Sequence, residues 1–104
     1  MKRIVLPENL NRDGFKTNES RDFTSKKNVV DQSSIKDIVE FLNLNFIKSK
    51  KINMSKSSYG LKHVVEKKLG RYVSNGDLIA SMIICEYDYI VDGPNAYFNI
   101  EAIN

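Results

Sequence analysis

Leu69-Gly70-Arg71-Tyr72-Val73-Ser74-Asn75-Gly76-Asp77-Leu78 decides how this chain folds, because one helix must end and another begin inside it. Gly70 directly follows the apolar series Leu61, Val64, Val65 and Leu69, spaced at i, i+3, i+4 and i+8, and a left-handed C-cap costs glycine least. Ser74 then offers an N-cap, with Asp77 at the third helical position and Val73 and Leu78 placed as the halves of a hydrophobic staple. The stretch therefore reads as two helices joined by a tight turn.

Working upstream, Ser55, Ser57 and Ser58 are candidate N-caps for the helix that ends at Gly70, and Ile52-Asn53-Met54 alternates like a short strand. Earlier still, Ser34 as N-cap with Asp37 three residues on predicts a first helix whose stripe is Ile35, Ile38, Val39, Leu42 and Phe46. Lys48, Lys50 and Lys51 close that helix at the end its dipole makes favourable for cations. Downstream, Leu78, Ile79, Met82 and Ile83 form the buried stripe of the third helix, which leaves Asn75, Gly76, Asp77, Ala80, Ser81 and Ile84 facing outward. Tyr87–Val91 and Ala96–Ile100 are rich in strand formers and flank Asp92-Gly93-Pro94-Asn95, so they predict a β-hairpin. Tyr87, Tyr89, Tyr97 and Phe98 alternate between its faces. From Asn9 to Ser34 the chain is polar, with isolated Phe15, Phe23, Val29 and Val30 and no sustained period. Residues 1–32 are accordingly expected as an irregular, partly disordered N-terminal arm, with Ile4-Val5-Leu6 as its candidate edge strand, and 33–104 as the folded domain.

A chain of 104 residues has room for one modest core. No apolar run approaches the length that spans a bilayer, and the N-terminus lacks the apolar stretch of a secretory signal, so a cytoplasmic protein is expected. A lone cysteine, Cys85, and a lone histidine, His63, provide neither a disulfide nor a zinc ligand set, and no cofactor is expected. No phosphate-cradling glycine loop, carboxylate pair or nucleophile–base spacing appears, which argues against an enzyme. Cys85 reads as a small core residue and His63 as a structural one. Twelve lysines against four arginines, with many asparagines, suit an AT-rich genome such as that of a low-GC bacterium or its phage.

The net charge of +3 conceals an asymmetry: residues 1–31 carry +2, residues 32–70 carry +5, and residues 71–104 carry −4. A polyanion is drawn to the middle of the chain and repelled by its last third.

The order of elements over roughly residues 33–100 resembles the winged helix-turn-helix family at the level of fold, with three helices and a two-stranded β-hairpin wing in a small α+β domain. The phrases Ser58-Tyr59-Gly60-Leu61-Lys62-His63, Tyr72-Val73-Ser74-Asn75-Gly76-Asp77-Leu78-Ile79-Ala80 and Gly93-Pro94-Asn95-Ala96-Tyr97-Phe98-Asn99-Ile100 look like small accessory proteins of phages and mobile elements. Such elements encode both DNA-binding regulators and inhibitors of host defence, including anti-CRISPR proteins, and a shared fold does not choose between them. A DNA-reading winged helix carries cations on its second motif helix and wing, and this chain places Asp77, Asp88 and Asp92 there. The expectation is therefore a non-enzymatic binding protein of a bacterial host cell's phage that inhibits a host protein or nucleoprotein complex. Its partner face would comprise Asp77, Glu86, Asp88, Asp92 and Glu101 with Tyr89 and Tyr97. The alternative is a DNA- or single-strand-binding accessory protein in transcription or replication, contacting nucleic acid through Lys48, Lys50, Lys51, Lys56, Lys62, Lys67, Lys68, Arg71 and Asn75, with Tyr59 interleaved. A homodimer through the arm or the first helix is left open.

Overall fold

In a computed structural model of the protein, residues 5–18 and 29–101 are described. The order is β1 (Leu10–Asn11), β2 (Gly14–Phe15), α1 (Gln32–Asn45), β3 (Lys48–Asn53), α2 (Ser58–Leu69), α3 (Asn75–Ile84), β4 (Tyr89–Asp92) and β5 (Asn95–Ile100). The architecture is α+β, with three helices and two antiparallel sheets, one of strands β1-β2 and one in the order β3-β5-β4.

Helix α1 starts earlier than Ser34 allows. Asp31 is its N-cap, and one carboxylate oxygen accepts from the amides of both Ser33 and Ser34. Ser34 is drawn inside the helix, where its Oγ accepts from Arg71 Nη1 at 3.1 Å. Ile35, Ile38 and Leu42 are buried along α1, and Phe46 is buried at its C-cap. Lys48, Lys50 and Lys51 do not close this helix; they lie on β3, and Met54 falls in the turn after it. Strand β3 forms because its backbone finds β5, pairing Lys48 with Ile100 and Asn53 with Phe98 across an irregular register. The expected two-stranded hairpin is thus two strands of a three-stranded sheet, with β5 central.

The deciding turn forms as its residues predict. Gly70 adopts φ 71 at the end of α2, and its N–H donates to Glu66 O at 2.8 Å. Ser74 Oγ caps α3 by accepting from Asp77 N at 3.1 Å, and Val73 and Leu78 are both fully buried. At the C-terminus of α3, Glu86 takes the left-handed position at φ 63, and Tyr87 N–H reaches back to Met82 O at 3.1 Å. Gly93 at φ 58 followed by Pro94 makes the two-residue turn between β4 and β5, with Asp92 opposite Asn95.

Ile38 and Leu42 from α1, Leu61 and Val65 from α2, Leu78, Ile79 and Met82 from α3 and Ala96, Phe98 and Ile100 from β5 make one core. Each fully buried aliphatic or aromatic side chain there stabilises the fold by about 1.5–3 kcal/mol relative to exposure.

Part of the arm joins this core. Strands β1 and β2 pair Leu10 with Phe15 and Asn11 with Gly14, and Phe15 is buried in the cluster. Phe15 N–H donates to Pro94 O at 2.9 Å and Gly76 N–H donates to Arg12 O at 2.8 Å, so this small hairpin lies across the first turn of α3. Val5 and Leu6 are not in a strand, and Ile4 and Phe23 lie outside the described residues. Among the described residues no helix is long and apolar enough to cross a membrane, and no three His, Cys, Asp or Glu side chains gather as a metal site.

Candidate functional site

Helix α3 is the element that a winged-helix expectation sends into a DNA groove, and its N-terminal face is not free. Asn75, Gly76, Asp77, Ala80 and Ser81, expected to point outward, are all buried. A Cβ on Gly76 would overlap the Asn11 carbonyl, so only glycine admits the arm this closely. Asn75 Nδ2 donates to Asp13 O at 3.1 Å, Pro94 O at 3.3 Å and Asn95 Oδ1 at 2.9 Å, which commits the group expected to read an adenine. Asp77 is 3% exposed, and its Oδ1 accepts from Asp31 N–H at 2.8 Å. Burial raises its pKa, against the lowering effect of that amide. Asp77 therefore leaves the expected partner face and ties α3 to the start of α1.

Two of the expected cationic contacts are also engaged internally. Lys62 is buried, donating to Glu66 Oε1 at 2.8 Å and Val73 O at 3.2 Å, and the Lys62 ammonium is the main reason the Glu66 carboxyl sits below its ordinary pKa. Arg71 donates to Ser34 Oγ and Tyr72 O and pairs with Asp37 Oδ2 at 3.3 Å, bracing the turn against α1. Lys48, Lys50, Lys51, Lys56, Lys67 and Lys68 remain exposed, spread over β3, the following loop and the end of α2. Lys48 lies over the Tyr87 ring, 5.2 Å from its centroid.

The remaining acidic residues of the expected partner face lie on and next to the β4–β5 hairpin. Asp88 and Asp92 bracket β4, Glu86 precedes it, and Glu101 follows β5; all four are exposed. Between the two aspartates, Ile90 and Val91 are 49% and 48% exposed, and Tyr89 is partly exposed. Strand β4 is one of the two outer strands of this sheet, and among the described residues nothing pairs with its free side. Asn99 N–H donates to Asp88 O at 3.2 Å, and Asp92 closes the turn opposite Asn95. Alternation along an antiparallel pair then turns the backbone groups of Ile90 and Asp92 toward β5 and those of Tyr89 and Val91 outward. The Tyr89 ring is fixed between Phe15 and Phe98, with centroids 6.1 and 6.2 Å away, and half-buried Tyr97 lies opposite Ile90 on β5. Sequence reasoning singled out Asp88, Asp92 and Tyr89 but not Ile90 and Val91, because alternation on a hairpin hides which strand will be the edge.

A separate concavity of about 360 Å3 lies where the arm, α2, α3 and the β4–β5 turn meet. Arg12, Asp13, Tyr59, Lys62, Tyr72 and Asn75 line it, with Pro94 and Asn95. Asn75 Oδ1 is buried there without a hydrogen-bond partner, an arrangement that costs about 1–3 kcal/mol. The arm residues Arg12 and Asp13 carried no sequence signal, although Gly76 in the first turn of a helix marks a site of close backbone approach. His63 contacts Glu66 Oε2 at 3.2 Å and the Tyr59 ring edge-on, a structural setting, and burial pushes the Cys85 thiol pKa up, away from reactivity.

Comparison with family models, curated proteins and solved structures finds no match to this chain.

Proposed function

We propose that this protein is a non-enzymatic binding module that captures an extended, basic segment of another protein along the outer edge of β4. The observation that carries the reading is the run Tyr89-Ile90-Val91, exposed on a strand that pairs with β5 in regular register on one side and, among the described residues, with no strand on the other. An open edge of this kind adds a strand through main-chain hydrogen bonds, while pockets and charges beside it select the sequence. Asp88 and Asp92 at its ends, with Glu86 and Glu101 nearby, favour lysine and arginine in the incoming segment and steer its approach.

The narrower form of the proposal treats the helices and the β4–β5 hairpin as a winged-helix scaffold turned from DNA to protein. A small phage or mobile-element protein of this kind would occupy the basic, nucleic-acid-binding surface of a host protein and inhibit it. The burial of Asn75 and Asp77 under the arm supports this over base reading by α3, since base contacts require that face to be open.

The test is selection of peptides from a random library on the immobilised protein, followed by amide hydrogen exchange of the complex. Selected peptides are expected to alternate apolar residues with Lys or Arg and to protect the amides of Tyr89 and Val91. Binding that leaves those two amides unprotected would refute the edge as the site.

A further inference from the structure

We propose that the concavity between the arm and α3 is a binding site for a nucleotide, a flat base carrying a phosphate. It is independent of the β4 edge.

Two of its lining residues are exposed tyrosines: Tyr59, with His63 edge-on to its ring, and Tyr72 are 55% and 63% exposed. Exposed aromatic rings beside a pocket offer a stacking surface, and a pocket of about 360 Å3 falls in the size range of small-ligand sites. What fits between them follows from the charges. The Lys62 ammonium already lies 4.8 Å from the Tyr72 centroid and 5.6 Å from that of Tyr59, so the cation–π position is filled and a cationic ligand is excluded from it. A bare anion finds no held counter-charge in Lys62 either, because Glu66 pairs with it at 2.8 Å. Aromatic surface and hydrogen-bonding amides are left to do the recognising, and they suit a neutral planar base.

The polar groups on the floor match the edge of a base. Asn75 is 8% exposed, and with its Nδ2 committed to three acceptors, its Oδ1 is the acceptor without a donor. That oxygen has almost no accessible surface of its own, so an exocyclic amine or ring N–H supplies the donor as the Asn75 side chain turns toward the cleft. Asn95, whose Oδ1 already accepts from Asn75, lines the same cleft, and under the proposal its amide donates to a ring nitrogen or carbonyl. At the mouth, the Arg12 guanidinium stands 5.9 Å over the Tyr72 ring with no ion pair among the described residues, and is the group for the phosphate. Asp13 beside it disfavours a polyphosphate.

The site also explains why the arm is built onto α3. Arg12 and Asp13 reach the cleft because Gly76 N–H holds Arg12 O at 2.8 Å and Asn75 Nδ2 holds Asp13 O at 3.1 Å. Neither the arm nor the helices form the cleft alone. The nucleotide chemistry has two sources, a free mononucleotide or a nucleotide within a single strand.

The experiment is an NMR titration of the full-length, 15N-labelled protein with the four nucleoside monophosphates, a short single-stranded oligonucleotide, a blunt duplex, the parent nucleosides and inorganic phosphate. Saturable shifts are expected at Arg12, Tyr72, Asn95 and the Asn75 side-chain amide. Tyr59→Ala and Tyr72→Ala each weaken binding about 10-fold or more, as loss of a stacking surface does. Arg12→Gln makes a monophosphate bind no better than its nucleoside, whereas Lys50→Ala changes nothing. Monophosphates equal to the oligonucleotide assign the free ligand; a tighter oligonucleotide assigns a strand. The proposal fails if no nucleotide saturates these signals by about 5 mM, if inorganic phosphate alone reproduces them, or if the duplex binds as well as the single strand. Both tyrosines are exposed, so their variants are expected to keep the wild-type spectrum elsewhere; should either one unfold, the Arg12→Gln comparison of nucleotide with nucleoside decides alone.

Discussion

Strands β3 and β4 flank the same central strand, and they treat their open sides in opposite ways. Strand β3 carries Lys48, Lys50 and Lys51 and meets β5 through an irregular register, two devices that keep a neighbouring chain from adding to a sheet. Strand β4 has no lysine, a regular register and an apolar pair, Ile90 and Val91, in its middle. A sheet only three strands wide exposes both edges equally to solvent, so topology alone does not explain why one is blunted and the other left open. That difference is what the proposed capture of a partner along β4 rests on, and under the proposal most of the β3 lysines serve as protection rather than as a nucleic-acid track.

The sharpest way to break this contrast is to blunt β4. Ile90→Lys combined with Val91→Lys is expected to reduce affinity for a selected basic peptide by about 100-fold, since two side chains with about half of their surface left to bury, each worth about half of the 1.5–3 kcal/mol of a full burial, are replaced by charge. Thermal stability should stay near wild type, because both side chains are already half exposed. Isothermal titration of the double variant measures the first, and a thermal melt the second. Reversing the bracketing charges with Asp88→Lys and Asp92→Lys should act mainly on association. An approximately 10-fold slower on-rate at low ionic strength, converging toward wild type in high salt, is the expected stopped-flow result.

The converse change opens β3. Lys50→Val with Lys51→Val removes two protecting charges from that edge, and size-exclusion elution is expected to become concentration-dependent. If elution stays constant, the irregular register with β5 is sufficient protection by itself.

The smallest effect separates surface carboxylates from the buried one. Asp77→Asn is expected to leave peptide affinity unchanged, because Asp77 faces α1 and not the sheet edge. Its signature is in stability against pH. Burial raises the Asp77 pKa in the folded state, so the protonated side chain favours folding, and that contribution is lost as pH rises from the ordinary carboxylate range through the raised value. Denaturant melts across that range should show a shallower decline for Asp77→Asn than for wild type, and an unaltered slope would contradict the assigned cause. Glu66 acts in the opposite sense: its pKa is lowered chiefly by Lys62, and the stability it adds is lost as pH falls.

The helical half of the fold was legible because its signals are local. Gly70, Ser74 and the Val73–Leu78 staple act within one or two turns, and each adopts the conformation its residue type favours. The β4–β5 hairpin was legible for the same reason, through Asp92-Gly93-Pro94-Asn95. Strand β3 was legible only in its last two residues, Ile52 and Asn53, because Lys48-Ser49-Lys50-Lys51 has neither an apolar face nor strong strand formers, and its conformation is set by backbone pairing with β5, some 50 residues away. The cap of α1 was misplaced by three residues because Ser34 and Asp31 are both competent caps, and the choice went to the carboxylate that answers two amides.

The candidate site was legible in composition and not in placement. An acidic final third with tyrosines on a hairpin was visible from the residues, and Asp88, Asp92 and Tyr89 do border the open edge. Asp77 and Lys62 were counted as surface charges but are buried, while Arg71, counted with them, stays partly exposed and pairs with Asp37. A charged side chain leaves the surface only when a specific partner meets it, and here those partners are the Asp31 amide for Asp77 and Glu66 with Val73 for Lys62.

The amino-acid order by itself determined the three helices, their turn, the hairpin and the segregation of charge, because each depends on near neighbours or on counting. Tertiary structure alone decided that the arm covers α3, that β4 is the open edge, and that Arg12 meets Tyr72 across a cleft. Those outcomes rest on contacts between segments far apart in the chain, whose free energy depends on shape and burial and leaves little trace in any one segment beyond a glycine such as Gly76.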